Sequence, residues 1–150
     1  MGRPPGPGLP GPAPADEPAQ DRALQEALEH LDRALPAGWE RRVVLTGADP
    51  ALVAGGADAY VLARVVERCD DDAAATLLRA CRRGLRPPGR VILLEAAVRV
   101  RGDTVALGSP VTRQRTLGEY GALLCRAGFA LSGVGALTYS VSFVEAHPYA

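Results

Sequence analysis

The stretch DDDAAATLLRACRRGLRPPGRVILLEA, residues 70 to 96, joins a helix pattern directly to a strand pattern. Its three leading aspartates suit a helix start, where carboxylates cap free backbone N–H groups and face the positive end of the helix dipole. Apolar residues then recur at helical spacing, at Ala74, Leu77, Leu78, Cys81 and Leu85. RPPG breaks the helix, and RVILLEA, residues 90 to 96, is a nearly continuous apolar run typical of a buried parallel strand.

Further elements flank this unit on both sides. Upstream, strands are predicted near residues 42 to 46 and 59 to 66. Downstream, TLGEYGALLCRAGF predicts a helix with a capping box formed by Thr116 and Glu119, and Gly128 ends it. FALSGVGAL and TYSVSFVEA are then expected to pair as an antiparallel hairpin at the sheet edge. This order predicts an α/β fold with a Rossmann-like, doubly wound sheet, flanking helices and a C-terminal hairpin.

The first twenty residues differ from the rest of the chain. Residues 1 to 20 contain seven prolines and four glycines without a triplet period, so they are predicted to be a disordered leader. From Asp21 the spacing of apolar residues predicts an amphipathic helix that leads into the first strand. The α/β domain is therefore assigned to residues 21 to 150.

Composition narrows the class of protein. Seventeen basic and seventeen acidic residues give no net charge, so no nucleic-acid partner is expected. Every basic residue is arginine, which removes a lysine base or Schiff base. Three cysteines without a CxxC pair predict neither a disulfide framework nor a metal site. No apolar run approaches the length of a membrane span and no signal peptide is evident, so a cytoplasmic protein is expected.

From residue 42 onward the chain resembles the cofactor-domain end of class I S-adenosylmethionine-dependent O-methyltransferases, of the plant phenylpropanoid and bacterial polyketide-tailoring type. The matching stretches are GADAYVLARVV, DDAAATLLRACRRGLRPPGRVILLEA, RQRTLGEYGALLCRAGF and YSVSFVEA. The resemblance implies a methyltransferase fold, S-adenosyl-L-methionine as cofactor and a small-molecule substrate from secondary metabolism. Because the family's glycine-rich turn and its N-terminal dimerisation domain have no counterpart here, a truncated domain is expected.

The resemblance also implies candidate catalytic positions. Glu67 stands where the family has its general-base histidine, and Gln114 stands where an acidic residue orients that histidine. Glu95, at the end of its strand, is the family's retained glutamate. Glutamate ionises near pH ~4.3 and histidine near ~6.5, so an unperturbed Glu67 would be the weaker base. Impaired methyl transfer is therefore expected.

The cofactor-binding positions are altered as well. By resemblance, Ala63 replaces a lysine that contacts the cofactor, and Cys69 replaces a tryptophan that packs beside the adenine. Asp49 falls one residue after the adenine-side aspartate, and the ribose position falls on Asp21 or Asp16. Since no strand is followed by GxGxG, which allows the backbone to approach the cofactor closely, weakened S-adenosylmethionine binding is expected.

Sheet topology is a further open question. In these enzymes two central strands lie between those that match residues 42 to 46 and 59 to 66. An unpaired strand in the middle of a sheet would expose a row of backbone N–H and C=O groups. Two solutions are open: the two strands pair directly in a smaller sheet, or a partner chain supplies the missing strands.

Three interpretations of function remain. The first is a methyltransferase-like domain with lost or impaired cofactor binding, accessory to a biosynthetic pathway. The second is half of a split O-methyltransferase that a partner chain completes. The third is a cofactor-free cyclase or isomerase in which Glu67 and Glu95 divide the acid and base roles. In a simpler alternative to the third, Glu67 is a solvated loop residue and Glu95 is structural. Arg64 and Arg115 are predicted to be structural.

Overall fold

The computed structural model describes residues 12–34, 41–95, 115–137 and 141–149. Its elements are α1 (Pro12–Ala34), β1 (Arg42–Leu45), β2 (Ala57–Ala63), α2 (Asp71–Gly84), β3 (Leu85–Glu95), α3 (Leu117–Arg126), β4 (Phe129–Ala136) and β5 (Ser142–Pro148). The five strands form one sheet in the order β1-β2-β3-β5-β4. The predicted α/β sheet with flanking helices and a C-terminal hairpin is confirmed.

The sheet closes without additional strands between β1 and β2. These two strands pair directly and in parallel, with Val43 opposite Tyr60 and Leu45 opposite Leu62. β2 pairs in parallel with β3, and β3 pairs antiparallel with β5. Of the two topologies left open by the sequence, the structure has the direct pairing.

Two predicted boundaries are wrong. α1 begins at Pro12, nine residues before Asp21, so residues 12–20 belong to a helix and not to a disordered leader. Pro12 is tolerated there because the first N–H groups of a helix have no partner within it. β3 begins at Leu85, so RPPG lies within a strand, although it interrupts the ladder: Leu85 pairs with Ala57 and Arg90 with Ala59. Prolines have no N–H to donate to a neighbouring strand.

The two faces of the sheet bury different helices. Side chains of successive strand residues point to opposite faces, so Leu62 and Leu93 pack with α2 and α3, while Val61 and Ile92 pack with α1. Burial of one such side chain contributes about 1.5–3 kcal/mol. β3 is therefore buried on both faces, as its apolar run predicts. No helix among the described residues is long and apolar enough to span a membrane.

The helix starts match their sequence signals. The Asp70 carboxylate accepts a 2.7 Å hydrogen bond from the N–H of Ala73 and caps α2. Both bonds of the α3 capping box are present: the Glu119 N–H donates to Thr116 Oγ1, and the Thr116 N–H donates to Glu119 Oε1. α2 begins after the turn that follows β2. Tyr120 of α3 contacts Glu95, the last residue of β3, so the starts of both helices lie near the carboxyl ends of β2 and β3.

Candidate functional site

Charged side chains converge at the carboxyl ends of β2 and β3. After β2 the chain turns through Arg64, whose φ of 58° lies in the left-handed region that non-glycine residues rarely adopt. The Arg64 N–H donates a 2.7 Å hydrogen bond to the Leu94 carbonyl and fixes this turn against β3. A 3₁₀ turn, Val66–Arg68, follows and carries Glu67. Open α/β sheets bind their ligands at this edge.

Glu67 is held inside this turn. Its side chain is about 6% exposed, and its Oε2 accepts hydrogen bonds from Arg64 Nε at 3.1 Å and Nη2 at 2.8 Å. The interpretation of Glu67 as a solvated loop residue is therefore wrong, because the 3₁₀ turn directs the side chain inward. The ion pair fixes the carboxylate of Glu67, the residue that the resemblance predicts to stand in place of the family's histidine.

Glu95, the last residue of β3, is fully buried. Its Oε1 accepts a 2.6 Å hydrogen bond from the Tyr120 hydroxyl, and its Oε2 has no hydrogen-bond partner among the described residues. The pKa of Glu95 is raised to about 8, mainly by desolvation and also by the negative charge of Glu67, against the lowering effects of the Tyr120 bond and of Arg115 and Arg64. At neutral pH the side chain is therefore largely a neutral carboxylic acid.

Arg115 connects the turn to the start of α3. Its guanidinium is 1% exposed and donates to the carbonyls of Val66 at 2.8 Å and Cys69 at 2.7 Å, and to Asp71 Oδ1 at 3.0 Å. The same group lies 6.0 Å from the centre of the Tyr120 ring. Its donors are thus engaged within the protein, which agrees with the predicted structural role. Arg115 positions the turn that carries Glu67.

Sequence reasoning missed the polar role of Tyr120. Its place on the apolar stripe of α3 marks it as a core residue, and its ring is fully buried. A buried tyrosine hydroxyl usually needs an acceptor, and this is the signal that could have pointed to Glu95. The spacing along α3 gives no information about which strand that acceptor belongs to.

The predicted cofactor positions do not converge into a ligand cradle. Ala63 is buried and has no polar side-chain atom, and the thiol of Cys69 donates to the Val65 carbonyl at 3.3 Å. The Asp49 carboxylate caps the 3₁₀ turn Pro50–Leu52. The groups at these positions do not fit S-adenosylmethionine, because they are apolar or already engaged in local hydrogen bonds.

The side chains of two predicted site residues, Asp21 and Gln114, lie outside the described part of the structure. Asp21 lies in α1, but its side chain is outside the described part of the structure, and Gln114 lies outside the described residues altogether. Their proposed roles stay predictions. Within the described ranges no group of three histidine, cysteine or acidic side chains could hold a metal ion.

A mixed sheet with three parallel strands, helices on both faces and charged groups at the carboxyl ends of two adjacent parallel strands defines a Rossmann-like domain. Within that class the chain belongs to the O-methyltransferase domain family, whose model matches residues 22–130.

Individual relatives agree with this assignment. The chain is 43% identical over 83 residues to acetylserotonin O-methyltransferase of Mus musculus, covering 49% of this chain and 21% of that protein. It is 30% identical over 128 residues to 3-amino-4-hydroxybenzoate 4-O-methyltransferase of Streptomyces cremeus, covering 79% and 35%. The chain therefore spans from about a fifth to about a third of the length of these relatives.

Solved structures give the same result. An O-methyltransferase from neocarzinostatin biosynthesis, determined with S-adenosylmethionine and 2-hydroxy-5-methyl naphthoic acid, superimposes with a TM-score of 0.54 and 31% identity, covering 68% of this chain and 31% of that one. The riboflavin-derivative dimethyltransferase of Streptomyces davawensis has a TM-score of 0.56 and 28% identity, covering 67% and 32%. The family resemblance is confirmed.

Proposed function

We propose that this chain is an O-methyltransferase-family domain that does not by itself bind S-adenosylmethionine or transfer methyl groups, and that it is accessory to a small-molecule biosynthetic pathway. The main support is the direct pairing of β1 with β2. The family has two central strands between these elements, and the first carries the glycine-rich turn at its end. With β1 and β2 hydrogen-bonded to each other, those strands have no place in the sheet.

The site residues support the same conclusion. Glu67, at the position of the base, is tied to Arg64 by two hydrogen bonds to one carboxylate oxygen. A general base must reach the proton that it removes, and a buried ion pair holds this carboxylate back. The groups at Ala63, Cys69 and Asp49 supply no set of donors or acceptors aimed at a common ligand.

The pathway and compartment are inferred from relatives and from the thiols. A Streptomyces relative acts on an aminohydroxybenzoate by name, and one structural relative belongs to neocarzinostatin biosynthesis, so a role in secondary metabolism is the corresponding proposal.

All three cysteines are free thiols. Because disulfides form mainly in oxidising compartments, free thiols support a cytoplasmic location.

The experiment is a calorimetric titration of the purified chain with S-adenosylmethionine and, separately, with S-adenosylhomocysteine. We expect no binding heat up to about 1 mM ligand, where the free energy of binding would be only about −4 kcal/mol. A full-length family member serves as the positive control, and a cooperative urea transition verifies that the chain is folded. Binding of either ligand at micromolar concentration would contradict the proposal.

A split enzyme, completed by a partner chain, requires a sheet in which β1 and β2 are not paired with each other. A partner chain that supplied the central strands would have to separate β1 from β2 and replace every backbone hydrogen bond between them. Amide hydrogen exchange of Val43 and Leu45, alternate residues of β1 whose N–H groups face β2, measures this directly in the isolated chain. Slow exchange at both amides favours the closed sheet, whereas exchange as fast as in an unfolded peptide would favour a site that awaits a partner.

A cofactor-free acid–base function is the second candidate, and the neighbouring carboxyls of Glu67 and Glu95 favour it. Burial raises the pKa of Glu95 to about 8, so Glu95 is suited to donate a proton while Glu67 accepts one. The test is to replace each glutamate by glutamine in the producing organism. If neither replacement changes the metabolite profile while deletion of the chain does, this candidate is eliminated.

A further inference from the structure

A second polar feature lies at the far end of α2 from Glu67. The carboxyl-terminal ends of α2 and α3 enclose a surface cleft of about 290 Å³. It is lined by Arg79, Arg82, Arg83, Arg126, Ala127 and Gly128. Its three α2 arginines lie 8 to 12 residues after Asp71, so at about 1.5 Å per residue they are about 12–18 Å from the start of α2 along the helix axis. We call it the arginine cleft.

Two of its guanidiniums are fixed by backbone carbonyls. Arg82 Nε donates to the Gly128 carbonyl at 2.9 Å and Nη2 to the Tyr149 carbonyl at 3.2 Å, while Arg79 Nη2 donates to the Arg126 carbonyl at 3.5 Å. These bonds engage the Arg126 and Gly128 carbonyls, at and just after the end of α3, and the Tyr149 carbonyl after β5, all of which would otherwise repel an anion. The remaining N–H groups of both guanidiniums have no partner among the described residues. The donors are thus in place before a ligand arrives.

Gly128 makes room for this arrangement. Its φ of +92° is one that side-chain-bearing residues rarely adopt, and a Cβ on it would lie 2.7 Å from Arg82 Cδ and Nε. The turn therefore favours glycine, and the absence of a Cβ leaves room for the Arg82 side chain that crosses it.

The cleft has an excess of positive charge. Arg126 forms an ion pair with Asp72, whereas the other three arginines have no carboxylate partner within the described ranges. Arg83 makes no hydrogen bond to any described residue. The negative end of the α2 dipole offsets part of this charge, but its effect is about half an elementary charge. Among the described residues, about two positive charges of this cleft therefore remain without a carboxylate counter-ion.

We propose that the arginine cleft binds an anion that carries two adjacent phosphates. Planar guanidiniums bind phosphate oxygens through two parallel hydrogen bonds, and several forks around one cleft suit a group with oxygens on two neighbouring phosphorus atoms. The cleft lies on α2 and α3, away from the carboxyl ends of β2 and β3 where open α/β sheets bind their ligands, so the inference is independent of the proposed function.

Inorganic pyrophosphate is the probe, titrated calorimetrically into the full chain at low ionic strength, with orthophosphate for comparison. We expect pyrophosphate to bind more tightly than orthophosphate and the affinity to fall as salt is added. Adenosine diphosphate is the third ligand. Equal affinity for pyrophosphate and adenosine diphosphate indicates that the cleft contacts the phosphates alone. Tighter binding of adenosine diphosphate than of pyrophosphate indicates a nucleoside diphosphate as the natural ligand.

Arg83→Gln is the decisive variant, because Arg83 makes no hydrogen bond or ion pair within the described residues that its loss would break. Loss of one charge-assisted hydrogen bond corresponds to a decrease in affinity of about tenfold. Arg33→Gln is the matched control: Arg33 also lies exposed in the last turn of a helix, on the opposite face of the sheet. We expect the control to change affinity by less than about twofold. Absence of pyrophosphate binding, or equal weakening by both variants, would overturn the proposal.

Discussion

The Tyr120 hydroxyl donates a 2.6 Å hydrogen bond to the carboxyl of Glu95, and both side chains are fully buried. The bond joins α3 to the last residue of β3, across 25 positions of sequence. It is the one hydrogen bond found for this carboxyl among the described residues, because Oε2 of Glu95 has none.

Tyr120→Phe should destabilise the protein. Removal of the hydroxyl leaves the Glu95 carboxyl without its donor in a buried site, and such a loss costs about 1–3 kcal/mol. The free energy of unfolding is measured by urea denaturation at pH 7. Tyr149→Phe is the control, because Tyr149 is 47% exposed and its hydroxyl contacts Cys125 at the surface. An equal effect of the two substitutions would argue against an energetic role for the buried bond.

The pH dependence of stability should reveal the buried acid. The pKa of Glu95 is about 8 in the folded protein, against 4.5 for the unperturbed side chain. Between these values the folded state retains a proton that the unfolded state has lost, so this group makes the free energy of unfolding fall as pH rises. The slope for one proton is at most about 1.4 kcal/mol per pH unit.

Glu95→Gln removes this titration. The stability of the variant relative to the wild-type protein should therefore increase from pH 5 to pH 8, measured by urea unfolding in steps of one pH unit. Glu29→Gln, on the exposed side of α1, is the control and should show no such trend. A difference between Glu95→Gln and wild type that stays constant across this range would contradict a proton held by Glu95.

Arg115→Met should be strongly destabilising. The substitution leaves the Val66 and Cys69 carbonyls without their charged donor, with an expected cost on the order of 3 kcal/mol. Arg86→Met is the control, since Arg86 is 58% exposed and its ion pair with Asp58 should be worth less than about 1 kcal/mol. If thermal denaturation gives similar losses for both variants, Arg115 does not hold the turn.

Two glycine-to-alanine substitutions should have opposite signs. Gly128→Ala places a side chain at φ +92° against Arg82, and the expected cost is about 1–3 kcal/mol. Gly121 lies within α3, where an added Cβ would meet no atom of another element within 4 Å, so Gly121→Ala should stabilise by about 0.5–1 kcal/mol. Urea unfolding of both variants tests the pair. A stabilising Gly128→Ala would contradict the strained turn.

Local sequence signals determined the helices and the central strand. The Asp70 cap and the Thr116–Glu119 capping box are formed as predicted, because every group in them lies within three residues of its partner. The continuous apolar run of β3 likewise indicated a strand buried on both faces. The starts of α1 and β3 were the exceptions: Pro12 and Pro14 lie in the first turn of α1, and RPPG lies within β3.

The candidate site was predictable only in part. The resemblance identified Glu67 and Glu95 as positions of interest, but their surroundings depend on residues far away in sequence. The Arg115 guanidinium, 49 positions from Val66, holds the turn that buries Glu67, and Tyr120 is the partner of Glu95. Whether a carboxyl is solvated or buried follows from such contacts, and no local pattern encodes them.

By itself the sequence determined the α/β class, the family and the helix caps, since periodicity, short-range hydrogen bonds and motif spacing are all written along the chain. Only the tertiary structure decided that β1 pairs with β2, that Glu95 is a buried neutral acid and that four arginines surround one cleft. Each of these depends on which distant segments meet, because backbone pairing and desolvation are properties of the packed chain.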